Sequence, residues 1–443
     1  MRFYYSFSIL LLFAAPAIQN PTKPAVLDAQ KRKAIETLAD DWFKARPATA
    51  FDDFDSEKLQ KLTERARALD PIPQSSEKDI RNILWKAARK HGPKLDPAAP
   101  MTTKWGKAEY SVVNAPSGGD GTKTGLLIGL HGGGEGAGDK SEAQGTWSGA
   151  LGKYKLMGIF PQAIQLVHDA WNTVEGERFL LTLIELAKRT YDIDPDRIYL
   201  AGFSMGGSGS WFMAGRHPQL LAGALPFHGV LFAAPDNQSA NITQIHHGFV
   251  PNVRHVPLYY TTGSADKNCL PYSYLFAEKL LADLKKQHPA DYDINFRCVE
   301  GLAHAYAPGE PQKAFEWLLN RKRKTFPKTL TWEHAKEIQF VSPGPRYLTK
   351  NYYWLRCNDP ADFMRVDAEI KGQEIAINVK KHDPAGFTIF LNKDLIDVTK
   401  EIIVKINDQE KFRGILEPSF SAMIESLSSR LDRNMVFDRR IDL

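Results

Sequence analysis

The stretch "RIYLAGFSMGGSGSWFMAGRHP", residues 197–218, constrains the fold more than any other part of the chain. The apolar run Ile198 to Ala201 reads as a strand, and the segment from Met205 onward reads as a helix. Ser204 stands at their joint, between Gly202 and Gly206. A serine placed there occupies a sharp, strained turn that lifts its Oγ clear of a sheet. Residues two before and two after it press against neighbouring backbone, where glycine fits best. The pattern G-x-S-x-G alone is weak evidence. A strand before it and a helix after it make it specific, against the alternative of a Gly-rich turn.

The surrounding sequence agrees. From about residue 105 the apolar runs "TGLLIGLHGGG", "YKLMGIFPQ", "LAGALPFHG", "VPLYYTTGSAD" and "INFRCVEGLAH" alternate with helical "ERFLLTLIELAKRTY" and "YSYLFAEKLLADLKKQ". Such alternation predicts a mostly parallel sheet with helices on both faces, and the more polar "TTKWGKAEYSVV" predicts an edge hairpin. Residues 24–100 carry helical stripes such as Ile35, Leu38, Ala39 and Trp42, with Asp55 and Ser76 as N-caps. Residues 326–443 hold short β-type runs such as "EIAINVK" and "EIIVKI", and "FSAMIESLSSRL" reads as one late helix. The expected fold is α/β: a helical N-terminal extension (24–100), an α/β domain (101–325) and a β-rich C-terminal domain (326–443).

Residues 1–20 have the layout of a secretory signal peptide. Arg2 precedes an apolar run ending at Phe13, and Ala15 and Ala17 suit a cleavage site. That run is short for a membrane span, so a secreted or periplasmic protein without stable membrane insertion is expected, with an uncleaved anchor as the alternative. A formal charge of +5, with cations and acids interleaved, carries no nucleic-acid footprint. The sharpest basic run, Arg321 to Lys324, reads as a helix end. Three cysteines are too few for a disulfide scaffold. Cys269 and Cys298 fall on segments expected to be adjacent, where a bridge is conceivable, and Cys357 reads as a lone thiol. His246 and His247 lack further ligands at metal spacing. Asn237 and Asn241 open glycosylation sequons.

A serine hydroxyl is a poor nucleophile until an imidazole takes its proton. In this architecture the partners follow in the order Ser, acid, His, each after a later strand. Asp266 directly follows "VPLYYTTGSA", whereas Asp283, Asp291 and Asp293 lie in helical or connecting sequence. His304 follows "INFRCV", and His288 reads as a helix end. The candidate catalytic residues are therefore Ser204, Asp266 and His304. The turn His131-Gly-Gly-Gly134 leaves backbone N–H groups free, so Gly132 or Gly133 with Met205 forms a candidate oxyanion hole. A phosphate loop would end in Lys-Ser/Thr, and this one does not. Trp171 is a candidate substrate-binding wall or a packing residue.

The motifs "LHGGG", "GFSMGG", "GSAD" and "GLAHAY", in that order, make residues 105–325 resemble secreted α/β-hydrolase serine esterases. The poly(3-hydroxybutyrate) depolymerase, feruloyl esterase and phospholipase/carboxylesterase groups are the nearest in kind. The resemblance implies a Ser204–Asp266–His304 triad that cleaves a small or polymeric carboxylic ester through an acyl-enzyme, without metal or organic cofactor. Alternatives are a prolyl-oligopeptidase-like peptidase, a feruloyl-type polysaccharide esterase whose C-terminal domain contacts carbohydrate, and an inactive binding protein. The helical extension is too small for the propeller of an oligopeptidase, and a full set of triad residues speaks against inactivity.

Overall fold

The computed structural model describes residues 27–47, 57–103, 105–116, 123–231, 233–235, 242–245, 250–334, 348–361, 363–382 and 386–443. Residues 1–20, Asp55, Asn237, Asn241, His246 and His247 lie outside them. Among the described residues no helix is long and apolar enough to cross a membrane.

A seven-stranded sheet forms the centre. Its strands are β1 (Tyr110–Val113), β2 (Thr124–Leu130), β3 (Leu156–Pro161), β4 (Ile193–Phe203), β5 (Gly223–Phe227), β6 (Leu258–Gly263) and β7 (Ile294–Val299). They lie in the order β7-β6-β5-β4-β2-β3-β1, and all neighbours run parallel except β1 against β3. The expected edge hairpin divides in two: Met101–Thr103 and Gly106–Ala108 form a separate ribbon, and only β1 joins the sheet.

The central strands are buried along their length because both faces are covered, which is why they read as unbroken apolar runs rather than alternations. Helices labelled in chain order supply the cover. On one face α5 (Val174–Thr190), α6 (Met205–Arg216) and α7 (Tyr272–Gln287) pack Phe179, Leu183, Trp211 and Leu281 onto Leu126, Ile128 and Leu200. On the other, α4 (Lys140–Trp147) and α8 (Glu310–Leu319) set Trp147, Phe315 and Leu318 against Leu127, Phe160 and Phe227.

The C-terminal segment is β-rich. A five-stranded sheet contains Thr329–Glu333, Arg365–Lys371, Glu374–Lys380, Ile402–Ile406 and Gln409–Gly414. A four-stranded sheet contains Asn351–Tyr352, Leu355–Cys357, Phe387–Leu391 and Arg439–Asp442. Strands 365–371 and 374–380 alternate buried and solvent-facing residues, the pattern of a sheet wet on one side. Their buried faces share one core with Trp332, Tyr352, Trp354 and Ile389.

The N-terminal helices α1 (Ala29–Ala45), α2 (Glu57–Arg67) and α3 (Glu77–Lys90) bury the predicted stripes, Ile35, Leu38, Ala39 and Trp42 among them. Asp28 caps α1 by accepting from the Lys31 N–H at 2.7 Å. Ser76 does not cap α3 through its side chain; its hydroxyl donates to the Pro73 carbonyl at 2.6 Å within a tight turn. The late helix α9 (Phe420–Arg430) packs on the extension: Met423, Ile424 and Leu427 share a core with Leu62, Ala66, Ile80 and Leu84. The extension's core is thus completed by one helix of the C-terminal part, whose strands keep a core of their own.

The basic run 321–324 follows the end of α8 at Leu319, as expected, with the Arg321 N–H donating to the Leu318 carbonyl at 2.9 Å and its guanidinium to that of Trp317. Arg321 donates to Asp293 at 2.6 Å and stacks on Trp317, and Lys324 reaches Asp291 at 3.3 Å. Arg323 is buried, donating to Asp196 on β4 at 2.6 Å, to the Gln219 carbonyl at 2.8 Å and to buried Asp432. It ties the sheet to the C-terminal segment. An Arg323→Met protein leaves two carboxylates without their cation and is expected to lose about 3–5 kcal/mol of stability. Denaturant unfolding of wild type and variant measures the difference.

Candidate active site

Ser204 occupies the turn between β4 and α6 with φ 57° and ψ −120°, a strained conformation for a residue with a Cβ. Its N–H donates to the Phe227 carbonyl at 2.9 Å, and its carbonyl accepts the Ser208 N–H at 3.0 Å. The flanking glycines are required by space. A Cβ on Gly202 would stand 2.2 Å from the Gly206 carbonyl oxygen, and one on Gly206 would stand 2.3 Å from that of Leu130.

Asp266 follows β6 and is 2% exposed. Oδ1 accepts the backbone N–H groups of Asn268 and Cys269, each at 2.9 Å. Oδ2 meets two imidazoles: His304 Nδ1 at 2.7 Å and His228 Nδ1 at 2.9 Å. Burial pushes this carboxyl up, but the hydrogen bonds from His304, the Cys269 N–H and His228 outweigh it, and the group titrates below its ordinary value. A depressed carboxyl stabilises the fold above the ordinary aspartate value of ~4, and that contribution is lost as pH falls through the depressed one. Asp266 is therefore an anion under all but strongly acidic conditions.

Because Oδ2 only accepts, both imidazoles carry their proton on Nδ1 and leave Nε2 as the acceptor. The His304 side chain is 17% exposed, and its ring lies 4.8 Å from that of Phe203. The Ser204 hydroxyl makes no hydrogen bond to His304; its polar neighbour is the Cys269 thiol, Oγ to Sγ 3.9 Å. Contacts between a nucleophile and its base often close only when substrate binds. The rival acids are engaged elsewhere: Asp283 with Lys286, Asp291 with Arg254 and Asp293 with Arg321.

The conceived Cys269–Cys298 bridge is not formed, and both thiols are free. The Cys269 N–H is held by Asp266, which turns its Sγ toward Ser204, whereas Cys298 is exposed on the outermost strand, β7. Burial pushes the Cys269 thiol up to about 11, so at neutral pH it is an unreactive thiol beside the serine.

The glycine loop after β2 is fixed by His131. Its Nε2 accepts the Ala163 N–H at 3.0 Å, so Nδ1 is the donor and holds the Gly132 carbonyl at 2.6 Å. Gly132 lies against the serine, since a Cβ on it would be 3.3 Å from Ser204 Cβ. Gly133 has φ 122°, and a Cβ there would stand 2.3 Å from the Ala137 carbonyl oxygen. Met205 opens α6, so its N–H precedes the first intrahelical bond and is free of the helix ladder. The loop therefore lies against the serine's turn, and the helix start leaves a backbone N–H free next to it.

Trp171 does not wall a pocket. It is fully buried, its indole N–H donates to the His131 carbonyl at 3.0 Å, and its Cβ fills the space left by Gly209. Its role is to brace the glycine loop. His228, in contrast, escapes the sequence reading, being absorbed into the apolar run "LAGALPFHG". The available signal is its place one residue beyond β5, the neighbour of the serine's strand, at the strand ends where open α/β sheets gather their sites.

Residues 157–335 match the model of the Dienelactone hydrolase family. Among solved structures, a thermostable esterase is 21% identical at a TM-score of 0.38, covering 51% of this chain and 62% of its own. This chain thus spans less than two thirds of that esterase. A ferulic acid esterase from Anaeromyces mucronatus is 12% identical at a TM-score of 0.39, covering 50% of this chain and 87% of its own. An acetyl xylan esterase from Aspergillus awamori is 16% identical at a TM-score of 0.35, covering 49% of this chain and 97% of its own. No curated protein matches the chain. The matched segment holds Ser204, His228, Asp266 and His304, and the strand order around it is that of one parallel sheet covered on both faces. In this segment the chain is similar to the dienelactone hydrolases, and its central domain has the α/β-hydrolase fold.

Proposed function

We propose that this protein hydrolyses carboxylic esters through an acyl-enzyme on Ser204, with His304 as general base and Asp266 as its anionic partner. The observation that carries the reading is the strained Ser204 turn, whose adjoining Phe203 ring lies 4.8 Å from that of an imidazole whose Nδ1 is held 2.7 Å from a buried carboxylate. Ser204 Oγ attacks the ester carbonyl carbon as His304 Nε2 takes its proton. Asp266 keeps the Nδ1–H in place and offsets the imidazolium charge without taking the proton. The N–H groups of Met205 and of Gly132 or Gly133 donate to the oxyanion. The imidazolium then protonates the leaving alcohol, and a water activated by the same nitrogen releases the acid.

The test pairs esters with amides of the same acyl group, including p-nitrophenyl butyrate, methyl ferulate and aminoacyl p-nitroanilides. Ester turnover with kcat/KM well above that of the matched amides is expected; the reverse order would overturn the assignment. We further propose that residues 1–20 direct export. Exported protein is then expected to begin near Ile18 by intact mass, and recovery of the Met1 form from membranes would contradict this.

A further inference from the structure

His228 has no part in the acyl-transfer steps, yet its side chain is as deeply buried as that of Asp266. Its side chain is fully buried, its Nδ1 donates to Asp266 Oδ2 at 2.9 Å, and its Nε2 has no partner among the described residues. An orphaned buried acceptor costs stability, as does the left-handed backbone of this residue at φ 48°. Packing alone would be served better by an apolar side chain. The His228 ring stands edge-on to that of His304, centroids 5.7 Å apart, and both lie beside Phe203.

Two imidazoles therefore share one carboxylate oxygen. We propose that His228 is a positioning residue for the catalytic pair: its Nδ1–H fixes the rotation of the Asp266 carboxylate and draws off part of its basicity toward a site solvent cannot reach. The inference rests on the triad reading given above.

The charged and titratable groups facing His228 are Asp266 from the loop after β6 and His304 from the loop after β7. From α7, the Tyr274 hydroxyl accepts the N–H of the adjoining Gly229 at 3.1 Å. Burial lowers the proton affinity of His228, and a charge on His304 lowers it further. The Asp266 carboxylate opposes both effects, and burial outweighs it. A shared oxygen 2.7 and 2.9 Å from two nitrogens is the spacing of hydrogen bonds. Ligands around a metal at ~2.0–2.2 Å stand further apart from one another.

Without His228, the carboxylate directs its charge at His304 alone and is freer to rotate. In a His228→Ala protein the His304 titration, read by imidazole NMR, is expected to move up by about half a unit. The kcat is expected to fall about tenfold or more, with KM within about twofold. His228→Asn keeps a side-chain N–H and should recover both quantities in part, which a purely space-filling role would not produce. The proposal fails if His304 titrates at the same pH in His228→Ala, or if the Asn variant is no better than the Ala variant. Should His228→Ala not fold, the wild type decides by 15N NMR. A neutral His228 with its proton on Nδ1 between about pH 5 and 8 supports the idea, and an Nε2–H tautomer or a charged ring overturns it. Neither NMR readout requires turnover, so failure of the esterase reading would show separately, as a wild-type protein that a fluorophosphonate probe does not label.

Discussion

A Ser204→Ala protein is expected to be folded and to have lost about six orders of magnitude in kcat, the loss seen when serine proteases are deprived of their nucleophile. Removing Oγ removes the attacking atom and leaves the turn intact, because the N–H and carbonyl that hold it belong to the backbone. Alanine also relieves none of the strain at φ 57°, since the penalty comes from Cβ, which it keeps. Stability should therefore change little while turnover collapses. A fluorophosphonate probe should label the wild type and leave the variant unlabelled. Ester turnover at the wild-type rate in the pure variant would move the chemistry away from Ser204.

Asp266→Asn is expected to cost about four orders of magnitude in kcat, although the side chain is nearly isosteric. Both oxygens of the native carboxylate face donors: two backbone N–H groups on one side and two imidazole N–H groups on the other. An amide offers one oxygen and one NH2, so one pair of donors must meet a donor. If the NH2 turns toward the imidazoles, they adopt the other tautomer and His304 loses its acceptor nitrogen at the serine. If it turns toward Asn268 and Cys269, the loop that orients both the acid and the Cys269 side chain is displaced. Activity and thermal unfolding measured together separate the outcomes, the first giving inactivity with little destabilisation and the second giving both. Unchanged turnover would exclude Asp266 from the mechanism.

The architecture was open to reading wherever local sequence carries the physics. The strands of the sheet are apolar over their whole length because helices cover both faces, and the glycines around Ser204 are demanded by contacts of 2.2 and 2.3 Å. That Asp266 and His304 end adjacent parallel strands follows from the same alternation, so their proximity was legible. Burial depth was not. Trp171 and a pocket-lining tryptophan look alike in sequence, and its full burial and its bond to the His131 carbonyl distinguish them. His228 was hidden because a histidine ending an apolar strand carries no mark of what it faces. The run after α8 does close that helix through Arg321, but the burial of Arg323 carries no local mark, because Asp196 and Asp432 arrive from distant parts of the chain.

The alliance of α9 with the first helices has a consequence for how the chain is made. The extension leaves the ribosome before the sheet, but its apolar faces are completed by Met423, Ile424, Leu427 and Val436, which follow the sheet. Until then α1–α3 carry an uncovered oily flank through the synthesis of the whole sheet. Contacts spanning nearly the full length of a chain close late, because the loop between them must be drawn in first. Helix α9 acts as a clasp: the first helices are fastened only when it returns to them.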